Sequence, residues 1–286
     1  MTPENAQKCV YYANTRRVTM KPRLTFTLSF LALILVPALA FAQVNFTKRS
    51  YYVGMGDSVA AGEGAMPVTN GYVYRLYDES VFGKKKEMDF SNMGTRGARS
   101  WDLRDHQVAQ VLCAEPEQRP TVVTITAGAN DFFRNDPDVV SSAQRVAQAV
   151  DLLLNNDGVL SPNLGATSVL DPVTNQKCRA LKNVTILVSN YYIIPHPVPE
   201  VFQLLNAAVQ GFNQALGFLV LQQVVVPTGS RIAVVDLYTP SLGRQGLVTI
   251  QKRYGYNGPL DFDFHPTNLG HAFIAGEFKK VWNSLP

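Results

Sequence analysis

Apolar and polar positions alternate along the chain in segments that predict an α/β protein. Short apolar runs rich in β-branched residues are typical of buried strands. Apolar residues spaced three and four apart over longer stretches are typical of helices packed on one face. Strands are predicted at residues 51–55, 88–92, 121–126, 184–189 and 231–235, and helices around residues 72–78, 100–112, 141–154, 200–221 and 268–282.

The order of these segments predicts how the strands pair. Strand and helix follow one another repeatedly, which favours right-handed βαβ units and a parallel sheet covered by helices on both faces. In such sheets ligands bind just beyond the carboxyl ends of the strands. Polar residues that directly follow the apolar runs are therefore the first candidates for chemistry.

Four segments, three of them at such positions, carry the pieces of acyl-transfer chemistry. Ser58 closes the first strand in Gly-Asp-Ser, Gly97 lies in a glycine-containing turn after the second, and Asn130 follows the third. His265 precedes a proline and the start of the last helix. In this arrangement Ser58 would be the nucleophile and His265 its base, while the Gly97 amide and the Asn130 side chain would donate to an oxyanion.

The choice of base rests on the surroundings of the four histidines. His106 lies in a charged helical stretch, which is typical of the surface, and His196 lies in a loop between two prolines. His271 falls within the last helix, where a solvated or capping role is expected. Only His265 stands in a Phe-His-Pro-Thr turn before a helix, where proline helps to hold the backbone. His265 is therefore the favoured base.

These four segments resemble the sequence blocks of the GDSL, or SGNH, hydrolases, and they occur in that family's order. Ser58 matches the nucleophile block, Gly97 the glycine block, Asn130 the Gly-x-Asn-Asp block and His265 the histidine block. The resemblance covers residues 51 to about 283. It implies a three-layer α/β/α sandwich around a parallel sheet of flavodoxin-like strand order, and a serine esterase or lipase that forms an acyl-enzyme on Ser58. It implies no metal and no other cofactor.

One position departs from the family pattern. The family usually carries an aspartate three residues before the histidine, where this chain has Phe262, with Asp261 and Asp263 on either side. Alternate residues of an extended stretch point the same way, so both aspartates share a face with His265. Asp263 is favoured as the residue that orients the imidazole because it is closer to the turn. Asp261 and a backbone carbonyl remain alternatives.

Three functional classes follow from this set of residues. The favoured one is hydrolysis of a small-molecule, lipid or acylated-carbohydrate ester. A catalytically silent carbohydrate- or lipid-binding protein on the same fold is the alternative from another class, because a fold does not determine a function. A thioesterase or a carbohydrate deacetylase would share the mechanism.

The first 42 residues predict a targeting segment rather than part of the fold. Residues 24–39 form a mostly apolar run preceded by Lys21 and Arg23, and Ala40-Phe41-Ala42 is a small-x-small cleavage pattern. This is typical of a secretory signal peptide, with an uncleaved anchor as the alternative and Met20 as a possible true start. A hydrolase domain over residues 43–286 and an extracellular or periplasmic location are expected.

Setting that segment aside changes the charge of the chain. It holds five of the 26 basic and one of the 22 acidic residues, so 21 of each remain in the rest. A net charge of zero gives no reason to expect a nucleic-acid partner. A monomer is expected, and the run of lysines at residues 84–86 is interpreted as a solvated loop.

Two further patterns bear on the fold. Cys113 and Cys178 form an even pair in a chain expected to be exported, which favours a disulfide, and their isolated positions do not match a zinc site. The helix at residues 200–221 is apolar on more than one face. A well-buried helix is the favoured interpretation, and an outer face that lines an acyl groove is the alternative.

Overall fold

Strands and helices alternate along the part of the chain that the computed structural model describes, which is residues 50–114, 119–133, 138–249, 251–252 and 262–286. The strands are β1 Ser50–Gly56, β2 Met88–Asn92, β3 Val122–Thr126, β4 Thr185–Ser189, β5 Arg231–Val235, β6 Gln251–Lys252 and β7 Phe262–Asp263. The helices are α1 Ser58–Ala61, α2 Tyr72–Asp78, α3 Ser100–Asp102, α4 Val108–Leu112, α5 Ala129–Phe133, α6 Val139–Asn155, α7 Pro199–Phe218, α8 Tyr238–Ser241 and α9 Asn268–Ser284. Single π-helical turns join α3 to α4 over Leu103–Gln107 and follow α7 over Leu219–Gln223.

The first five strands form one parallel sheet in the order β2-β1-β3-β4-β5. This is the flavodoxin-like order expected from the family resemblance, and the predicted α/β fold is confirmed. In the pairing of β1 with β3, Gly56 lies opposite Thr126. The residues that follow these two strands are therefore neighbours at the carboxyl end of the sheet, at the point where the strand order reverses.

Helices cover the sheet in two groups. Helix α2 packs against α9, whereas α6 packs against α7 and against the helical stretch from α3 to α4. Right-handed crossovers produce this division because the connection from β1 to β2 runs in the opposite direction to those that follow. Between the helices the central strands β1, β3 and β4 are buried, with fully enclosed side chains at Tyr52, Met55 and Ile125.

A disulfide ties the end of α4 to the loop that precedes β4. Cys113 and Cys178 are joined, with their Cα atoms 5.1 Å apart and 65 positions between them in the sequence. The predicted pairing is confirmed. In the chain-entropy model a loop of this length stabilises the fold by about 4 kcal/mol, an upper figure because strain in the native state is left out.

Helix α7 is buried along one face only. Leu205, Phe212 and Leu216 are enclosed, but Leu204 is 71% exposed and Phe218 is 58% exposed. The expectation of a well-buried helix is therefore wrong for its outer face. By length and composition alone the span Pro199–Gln223 would cross a membrane, a test that the core helices of soluble proteins also pass.

Candidate active site

The turn after β1 fixes Ser58 at the start of α1. Gly56 has φ +128°, and a Cβ atom there would lie 1.9 Å from the carbonyl oxygen of Thr126, so only glycine fits. The next residue, Asp57, donates its N–H to that same oxygen at 2.9 Å and caps α1 by accepting the Val59 N–H at 2.9 Å. The Ser58 side chain therefore leaves the sheet edge from a rigid turn.

His265 lies within hydrogen-bond distance of Ser58. Its Nε2 is 2.8 Å from Ser58 Oγ, and its Nδ1 is 2.5 Å from Asp263 Oδ1. The same carboxylate oxygen accepts the backbone N–H of His265 at 3.1 Å, which locks the short stretch between the two residues. Serine, imidazole and carboxylate thus form one continuous chain of hydrogen bonds, the arrangement that activates a serine for attack.

The geometry also shows how the chain accommodates its departure from the family pattern. Phe262 stands where the family carries its aspartate, and its ring packs edge-on against His196 with ring centres 4.9 Å apart. Asp263, one position later, lies on the face of β7 that turns toward His265. Among the alternatives for orienting the imidazole, the carboxylate of Asp263 is the group in contact with the ring, and Asp261 lies outside the described residues.

The two other predicted donors share one wall of the site. Gly97 lies in a tight turn with φ +73°, a backbone conformation that favours glycine. One residue later, the carbonyl of Ala98 accepts the side-chain amide of Asn130 at 2.9 Å. The turn is anchored to the strand that leads to Ser58, because the Thr95 N–H donates to the Gly56 carbonyl at 3.0 Å. The turn that contains Gly97 is thereby bonded to the end of β1 through Thr95 and to Asn130 through Ala98.

A family model of GDSL-like lipases/acylhydrolases matches residues 52–278, which is most of the chain. The chain belongs to this family. Membership assigns ester hydrolysis to it as a general activity. None of the curated proteins matches this hydrolase.

Several solved structures are similar to this hydrolase. A mutant acetyl esterase solved with an acetate ion is 15% identical, with a TM-score of 0.48 over 81% of this chain and 95% of that chain. A putative lipolytic protein of the G-D-S-L family from Desulfitobacterium hafniense is 15% identical (TM-score 0.46, 81% and 99%). A family 3 carbohydrate esterase from Talaromyces cellulolyticus is 16% identical (TM-score 0.46, 83% and 100%). At such low identity the likeness concerns the fold and assigns no substrate.

Asp131 has a structural role in this hydrolase. Its two oxygens accept the N–H of Ser100 at 2.8 Å and the Ser100 hydroxyl at 2.7 Å. Arg145 of α6 donates to the same carboxylate at 3.1 Å. These bonds hold the start of α3 against α5 and so fix both ends of the wall formed by Gly97 and Asn130.

Sequence reasoning missed Gln107, which clamps the strand end before the nucleophile. Its side-chain oxygen accepts the Gly56 N–H and its side-chain nitrogen donates to the Gly56 carbonyl, both at 2.8 Å. The residue is buried and closes the π-helical turn Leu103–Gln107. Such turns are frequent at functional sites. The sequence itself offers no signal for a π turn here.

His271 was expected to be solvated or to cap a helix; it is not solvated, and it does cap a helix, because it accepts the N–H of the first residue of α2. It is fully buried: its Nδ1 accepts the Tyr72 N–H at 3.2 Å, and its Nε2 is 2.8 Å from the Glu63 carbonyl oxygen. Burial lowers the pKa of His271 to about 4, against the opposing effect of the bond to Glu63. The residue is not solvated because α9 presents it to the start of α2. A neutral His271 therefore ties the loop after α1 to both helices.

Proposed function

We propose that this protein is a serine esterase that forms an acyl-enzyme on Ser58. The observation that carries the proposal is the unbroken contact from Ser58 Oγ through His265 to Asp263. Ser58 is 6% exposed and follows a turn fixed by backbone bonds, so its hydroxyl is held for attack rather than free to rotate in solvent. That preorganisation favours catalysis over a purely binding role.

The proposed reaction has two steps. Ser58 Oγ attacks the ester carbonyl while its proton passes to His265 Nε2, and the tetrahedral oxyanion accepts hydrogen bonds from the Ser58 amide, the Gly97 amide and the Asn130 side chain. The proton then moves to the departing alkoxide, and the alcohol leaves. In the second step His265 takes a proton from the water that attacks the acyl-enzyme, and it returns this proton to Ser58 Oγ as the bond from Oγ to the acyl carbon breaks, which releases the carboxylic acid and free Ser58.

A panel of substrates tests the proposal and separates it from its alternatives. We expect the purified protein to hydrolyse p-nitrophenyl esters, with the dependence on acyl length distinguishing a short-chain esterase from a lipase. Acetylated sugars and acyl thioesters assayed beside them distinguish a carbohydrate deacetylase and a thioesterase. Absence of turnover on the whole panel, together with binding of a sugar or lipid, would establish the binding protein instead.

We further propose that the protein is exported and cleaved after Ala42. The apolar run at residues 24–39 and the Ala-Phe-Ala pattern support cleavage, and the Cys113–Cys178 disulfide suits an oxidising compartment. Intact mass of the protein recovered outside the cytoplasm should correspond to residues 43–286. Alkylation should add mass only after reduction. A recovered protein that retains residues 1–42 would contradict the cleavage.

A further inference from the structure

Asp57 is a buried carboxylate directly beside the nucleophile that the proposed reaction does not use. It is 1% exposed, accepts the Val59 N–H at 2.9 Å and accepts a short hydrogen bond from the Tyr191 hydroxyl. Tyr191 lies 134 positions further along the chain, just after β4. The nucleophile turn, which follows β1 and is bonded to the end of β3, is therefore also held from the end of β4.

Both the backbone and the ring of Tyr191 are held by neighbouring residues. Asn213 of α7 binds its backbone in both directions, accepting the N–H at 2.9 Å and donating to the carbonyl at 2.8 Å. Its ring is 1% exposed and packs edge-on against Phe212, with ring centres 5.7 Å apart, and against Phe132 at 6.4 Å. A hydroxyl held so rigidly can aim one hydrogen bond with little loss of entropy.

Opposing effects determine whether Asp57 is ionised. Burial raises its pKa to about 6, while the hydrogen bonds from Tyr191 and Val59 and the attraction of His265 oppose that rise. The titratable groups that face this carboxylate are Tyr191 and Tyr192 after β4, Tyr72 on α2 and His265 before α9. Of these only His265 becomes cationic in the reaction, when it holds the serine proton.

We propose that Tyr191 is a positioning residue for this hydrolase: its hydroxyl keeps Asp57 ionised beside Ser58, where the negative charge stabilises protonated His265. The inference rests on the proposed serine mechanism. Asp263 stabilises the imidazolium by direct contact, and the charge of Asp57 adds a further electrostatic stabilisation through space. A protonated Asp57 would lose that attraction and would accept the Tyr191 and Val59 hydrogen bonds more weakly.

The direction in which Tyr191→Phe moves the pKa of Asp57 depends on which form of the carboxylate the tyrosine hydroxyl stabilises. A donor to a carboxylate favours the charged form, so removing the hydroxyl in Tyr191→Phe raises the pKa of Asp57 further. Asp57 then becomes protonated at a higher pH. The acid limb of the pH profile of kcat/KM, which reports ionisations of the free enzyme, moves in the same direction.

The test compares pH profiles of kcat/KM for p-nitrophenyl acetate between about pH 5 and about pH 9. In Tyr191→Phe we expect the acid limb to move up by about one pH unit, with about a fivefold loss near pH 6 that approaches about tenfold near pH 5, and near-normal activity at the alkaline end. Tyr52→Phe is the matched control, because it removes a buried hydroxyl bound to Thr124 in the sheet and away from Asp57. Its acid limb should coincide with that of the wild type.

A second variant keeps the test decisive if Tyr191→Phe does not fold at the assay temperature. Asp57→Asn should lower kcat across the profile and should show one ionisation fewer on the acid limb. Adding Tyr191→Phe to it should move the limb no further. A folded Tyr191→Phe or Asp57→Asn with the wild-type profile overturns the inference while the wild type stays active. A wild type without turnover overturns the serine mechanism and the inference together.

Discussion

Replacing Ser58 with alanine is expected to abolish ester hydrolysis while the protein stays folded. The substitution removes the only atom that bonds to the acyl group in the proposed reaction, and loss of such a nucleophile costs about 10⁶-fold in kcat. Only one small oxygen is lost from a turn in which the Asp57 N–H still donates to the Thr126 carbonyl and the Asp57 side chain still accepts the Val59 N–H. The measurements are kcat on the best ester of the panel and a thermal melt.

Covalent labelling gives an independent view of the same residue. A fluorophosphonate probe should label the wild-type protein at Ser58, located by peptide mass spectrometry, and should leave Ser58→Ala unlabelled. Ser168→Ala is the matched control: this half-buried serine donates to the Asn156 carbonyl at 3.2 Å, and its loss should change neither labelling nor kcat. Labelling of another serine in the wild type would overturn the assignment of the nucleophile.

Asp263→Asn is expected to lose about 10⁴-fold in kcat with little change in KM. An asparagine side chain fits the same space, but its amide can donate where the carboxylate accepts. This favours the imidazole tautomer that carries its proton on Nε2, and that nitrogen then cannot take the proton from Ser58. The contact that the substitution changes is the 2.5 Å hydrogen bond between Asp263 Oδ1 and His265 Nδ1. Steady-state kinetics with melts of both proteins measure the effect.

Two comparisons decide whether Asp263 acts in this way. Asp261→Asn is the matched control from the same stretch, and we expect it to retain most of the activity. A large loss in folded Asp261→Asn alone would show that the orienting carboxylate was wrongly chosen. In a Ser58→Ala background, Asp263→Asn should reduce the residual rate no further, because members of one catalytic unit act non-additively.

Much of the fold could be read from local patterns. The β-branched run that forms β3 and the alternation of strands with amphipathic helices are local features, and both appear in the structure close to their predicted bounds. The positions of Ser58 and Asn130 at two strand ends follow from the same pattern. That these ends are adjacent depends on the pairing of β1 with β3, which the family resemblance implied and the residues alone did not determine.

The site could be predicted only in part, and the residues that were missed or left open share a physical cause. Alternation placed Asp261 and Asp263 on one face with His265, but the contact with the ring depends on where the chain turns after β7. Tyr191 and Gln107 reach the nucleophile turn from 134 and 51 positions away.

By itself, the sequence determined the types of element, the reactive residue types and their places at the ends of strands, because these depend on periodicity and on short-range steric preferences. Only the tertiary structure decided which carboxylate meets His265, that His271 is buried, and that Tyr191 binds Asp57. Such contacts form between segments distant in the chain, and their energies depend on the packing that brings those segments together.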